Sequence, residues 1–111
     1  MVSMFSFRSR GPSRDRETDT LRHDRLAKLL DQVAAEIAAE RKGLEDRYNA
    51  ASTNAAFLVE ATENDAAPVR ASARVNELTA SILNCERRIA VLARQLTLMK
   101  QFRELLTDFP D

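Results

Sequence analysis

The segment PVRASARVNELTASILNCERRIAVLARQLTLMKQFRELLTDF, Pro68 to Phe109, decides the fold. Its apolar positions are Ala71, Val75, Leu78, Ile82, Cys85, Ile89, Leu92, Leu96 and Met99. Their spacing alternates between four and three residues without a slip. That is the heptad seam one helix needs in order to lie along another. Pro68 fits only the first turn of such a helix, because its missing N–H would have no partner there in any case.

The partner lies upstream. Leu26, Leu30, Val33 and Ile37, then Leu44, Tyr48, Ala51, Ala55 and Leu58, form a second helical stripe. Arg41 is the in-phase position between the two halves, and steps of four on either side of Ile37 predict a stutter that locally unwinds the coil. Thr18, Asp19 and Thr20 are good N-caps, so the first helix is expected over about 19–62. Arg41-Lys42-Gly43 is the one candidate break, but a mid-helix Gly costs only about 1 kcal/mol and Leu44 continues the stripe. A short loop at 63–66 then makes the second helix, about 67–108, an antiparallel neighbour. Residues 1–17, with Gly11-Pro12-Ser13 at their centre, read as a flexible arginine-rich tail. The fold class is all-α: a long antiparallel, coiled-coil-like two-helix hairpin that associates into a helical bundle.

Folding about the loop predicts a register in which facing residues have numbers summing to about 132 or 133. Leu44 then meets Ile89, Val33 meets Met99 and Leu26 meets Leu106. Arg41 faces Leu92 and Arg103 faces Leu30, each laying its stem in the seam with its charge reaching out.

Composition agrees with this architecture. The 111 residues include 44% hydrophobic and 31% charged residues, with two Gly, three Pro and no Trp. Few turn residues and few aromatics argue against a sheet protein. The formal net charge is zero, with Lys+Arg and Asp+Glu both at 17, so no basic field for nucleic acid is expected on the helical body. No apolar run approaches a membrane span, and the N-terminus has the wrong order of charge and apolar residues for a signal peptide. A cytoplasmic setting is the default expectation.

No chemistry is legible. His23 is the only histidine and Cys85 the only cysteine, so neither a zinc site nor a disulfide framework is expected. His23 is flanked by Arg22, Asp24 and Arg25 and reads as part of a solvated turn. Cys85 sits in the seam as a small hydrophobe, and Tyr48 as a core residue with its hydroxyl at the rim. Glu36, Glu40, Glu45 and Asp46 lack the Glu-x-x-His pair of di-metal bundles. The expectation is a protein that is not an enzyme and takes no cofactor or metal.

What remains is a second stripe. Val91, Leu98, Phe102, Leu105 and Phe109 lie beside the seam, rotated from it by about 100°. Helix 1 does not need them, so they are the interface candidates. The expected function is a non-enzymatic interaction module, adaptor-like or chaperone-like, that self-associates as a homodimer or docks a helical partner through this apolar end. The alternative is a binder of nucleic acid or an anionic surface through tail residues Arg8, Arg10, Arg14 and Arg16.

Overall fold

The computed structural model describes residues 11–62 and 68–110, with Thr62, Pro68 and Ala71 described by their backbone alone. Helix α1 spans Pro12–Thr62, helix α2 spans Pro68–Leu105, and a 3-10 turn follows over Leu106–Asp108. The fold is an all-α hairpin of two long antiparallel helices packed against each other. The expected loop at 63–66 lies outside the described residues. Contacts cluster into two compact units, one of residues up to Ala35 with those from Thr97 onward, the other Glu36–Leu96.

Helix α1 begins at Pro12, not near Thr18 to Thr20. Gly-Pro therefore starts the helix rather than breaking a tail. Pro12 takes the first helical position, where its ring is pre-organised. The Gly11 carbonyl accepts from the amides of Arg14 and Asp15 at 3.0 and 3.1 Å. Asp15 places an acid in the first turn, where the helix dipole favours it. Thr18, Asp19 and Thr20 are interior positions one turn further on, so residues 13–17 belong to the helix and not to a tail.

Gly43 does not interrupt α1. It is not in a left-handed conformation, and an added Cβ would meet nothing within 4 Å. Its only effect is the entropy it gives the unfolded chain. Gly43→Ala should therefore stabilise the protein by about 1 kcal/mol, read as a higher urea midpoint at unchanged slope. A lower midpoint would mean that the helix needs the glycine.

In the unit Glu36–Leu96 the seam matches the heptad reading. Ile37, Arg41, Leu44, Tyr48, Ala51, Ala55 and Leu58 of α1 are all buried or half-buried. So are Val75, Leu78, Ile82, Cys85, Ile89, Leu92 and Leu96 of α2. Leu92 is completely buried. Arg41 lies half-buried in the seam and turns its Nε to Glu45 Oε1 at 2.9 Å.

In the other unit the α1 seam differs from the expectation. Ala27 is buried, while its neighbour Leu26 is exposed. His23, Leu30, Val33 and Ala34 are half-buried. Traced through His23, Ala27, Leu30, Ala34, Ile37 and Arg41, the spacing alternates four and three throughout, and no stutter is needed. A small residue in the seam lets the helices approach closely, so Ala27 takes the place that size alone assigned to Leu26. Leu106 is buried here, and Arg103 Nε donates to Asp31 Oδ1 at 3.1 Å, one residue from the Leu30 it was expected to face.

Helix α2 ends earlier than expected. The Phe109 amide donates to the Leu106 carbonyl at 3.1 Å, closing a 3-10 turn. Phe109 is extended, with φ −61° and ψ 121°. Pro110 follows it, and the residue before a proline is held out of the helical region.

Candidate functional site

The candidate surface follows from the position of each residue relative to the seam. Phe102 and Leu105 each immediately precede the seam positions Arg103 and Leu106. Leu26 and Leu29 stand in the same relation to Ala27 and Leu30. In an antiparallel pair, residues one step before the seam on both helices fall on the same side of the hairpin. In the unit of residues up to Ala35 and from Thr97 onward, Leu26, Leu29, Leu98, Phe102 and Leu105 therefore share one face. Each is 40–65% exposed. Large apolar side chains concentrated in this way differ from ordinary surface scatter and make this face the candidate surface.

Two of the sequence candidates behave differently. Val91, in the unit Glu36–Leu96, is half-buried beside the seam. Phe109 lies past the end of α2 and is half-buried. The turn before Pro110 carries its ring onto α1, where it meets His23 edge-on with centroids 5.9 Å apart and planes at 64°. There it lines a shallow depression with Arg22, Arg25, Leu26 and Leu29. Phe109 thus packs partly against helix 1, and His23 is a half-buried seam residue rather than part of a solvated turn. Its Nδ1 lies 3.2 Å from Asp24 Oδ1.

The sequence reading assigned Leu26 to the seam and so missed it as a surface residue. A signal was available: Ile37, Ala34, Leu30 and Ala27 continue the heptad backward without a slip. The proline after Phe109 likewise foretold that its side chain would leave the helical stripe.

The other exposed apolar residues do not form a comparable patch. Phe57 and Val59, two residues apart, point about 200° apart around α1. Leu21, Val69 and Leu83 are single positions away from the stripe. Of the tail arginines, Arg14 and Arg16 are exposed on the first turns of α1, with Arg16 Nε donating to the Pro12 carbonyl at 3.4 Å. Arg8 and Arg10 lie outside the described residues. Cys85 is a buried free thiol. Among the described residues, no group of three or more His, Cys, Asp or Glu side chains is placed to hold a metal ion. Nor is any helix among them long and apolar enough to cross a membrane.

Among the described residues, one ion pair joins the helices in the unit Glu36–Leu96. Arg88 grips Glu40 with both arms, Nε to Oε2 at 2.7 Å and Nη2 to Oε1 at 3.1 Å. The Arg88 hydrogen bond holds the Glu40 carboxyl below its ordinary value of 4.5. A depressed folded pKa means that the stabilisation is present above pH 4.5 and is lost as pH falls through the folded value. Carbon-13 titration of the Glu40 carboxyl should show a midpoint below the ordinary glutamate value that rises in Arg88→Gln. An unchanged midpoint would show that the fork is not formed in solution. Both partners are exposed, so the pair sets register more than it adds stability.

Compared with protein-family models, curated proteins and solved structures, the chain matches none.

Proposed function

We propose that this hairpin is a non-enzymatic interaction module, working through the face of Leu26, Leu29, Leu98, Phe102 and Leu105 on a second copy or a partner helix. The observation that carries this reading is the shared exposure of those five side chains on one side of the helix pair. Only Ala27, Ala51, Leu78, Cys85, Leu92 and Leu106 are buried apolar residues among those described. A core this thin leaves much of the available apolar burial to be made by association. An adaptor or chaperone role is the class of function that fits. The buried free thiol of Cys85 suits a reducing compartment such as the cytoplasm. Sedimentation equilibrium of the wild type against Leu98→Glu with Leu105→Glu tests the proposal. Loss of association in a folded variant supports it, and equal masses overturn its self-associating form.

A further inference from the structure

Resting on that reading, we propose that the occupant of the face is a second copy of this chain, placed side by side with its two-fold axis running along the helices. In this arrangement α1 of one copy packs against α2 of the other. Two observations carry the proposal. The first is angular. On each helix, the residues one step before the seam are turned about 100° from it. A helix in a square four-helix bundle needs two apolar stripes set at about that angle, one for each neighbour. Both helices carry the second stripe at the same level and on the same side of the hairpin.

The second observation is charge. The flank of the face on α1 carries Arg22 and Arg25, and its flank on α2 ends in Asp108. The His23–Phe109 and Asp31–Arg103 contacts set residue 25 level with residue 108. Among the described residues, neither Arg25 nor Asp108 forms an ion pair within the chain. A two-fold axis along the helices lays each α1 flank on the copy's α2 flank at the same level. Arg25 then meets Asp108 of the copy, twice per dimer. A two-fold axis lying in the face and running across the helices would instead stack α1 on α1, which brings no Asp108 to Arg25. A stripe that repeats itself under a two-fold axis, with opposite charges at its rims, is the form of a self-complementary interface.

The test uses the full chain with Cys85→Ala. Single variants Arg25→Cys and Asp108→Cys are unfolded together, refolded as a mixture and treated with a short bis-maleimide. The mixture should give a covalent dimer that neither variant gives alone, because like positions lie diagonally across the bundle. A second measurement uses charge reversal. Arg25→Asp should weaken dimerisation about 10-fold, and adding Asp108→Arg should restore it, as two symmetric rim pairs imply. Crosslinking within the Arg25→Cys variant alone would overturn the arrangement. So would a wild type that is monomeric at every concentration, including one that dimerises only after deletion of residues 1–10. If the wild type associates, loses association in the Leu98→Glu, Leu105→Glu variant and yet gives no mixed crosslink, the face stands as an interface and the arrangement proposed here is wrong.

Discussion

Leu92→Ala should lower the stability of the hairpin by about 3 kcal/mol, against the 5–15 kcal/mol typical of a whole domain. Leu92 is the one large side chain wholly removed from solvent among the described residues. It lies in the seam of the unit Glu36–Leu96, between Ile89 and Leu96. Truncation loses the transfer free energy of the removed carbons and leaves a void that two helices held by their other seam contacts cannot fully close. The better helix propensity of Ala returns only a small fraction. For a chain of this length the melting temperature should fall by more than about 10 °C. Leu83→Ala is the control: the same chemistry nine residues away at a side chain that is half exposed. It should cost less than about 1 kcal/mol. Urea unfolding of both variants decides the matter, and equal losses would mean that the seam is not the core.

Leu98→Glu with Leu105→Glu should weaken association by at least about 100-fold while leaving the fold intact. Each buried leucine contributes on the order of 1.5–3 kcal/mol, and the substitutions also place carboxylates in the contact. By symmetry a dimer carries four such changes. The fold is spared because both side chains are already exposed in the single chain and Glu is a good helix former. Circular dichroism should therefore match the wild type, while sedimentation shows the monomer. A variant that unfolds would place these leucines in the core of the hairpin and contradict their exposure.

The two helices differ in how much of their packing was legible. On α2, every seam position from Val75 to Met99 is buried or half-buried, because a strict heptad leaves no second choice of phase. On α1, Leu26 and Ala27 compete for one seam position. Hydrophobicity favours the leucine, whereas continuity of the heptad favours the alanine. Gly11-Pro12 was ambiguous for a different reason: the same dipeptide that breaks a helix from inside also opens one from its first turn. The stripe Leu98, Phe102 and Leu105 was visible as a surplus beyond the seam. Its counterpart Leu26 and Leu29 was not, since which face a stripe joins depends on the phase of the opposite helix.

By itself the sequence determined the helical class, the seam of α2 and the surplus of apolar residues near its end. All three follow from periodicity along one chain, which local geometry turns directly into a face. Only the tertiary structure decided that Ala27 rather than Leu26 enters the seam, that Phe109 leaves the helix to cover His23, and that Arg88 spans to Glu40. Each of these is a choice among nearly equal local options, and the close approach of the opposite helix settles it.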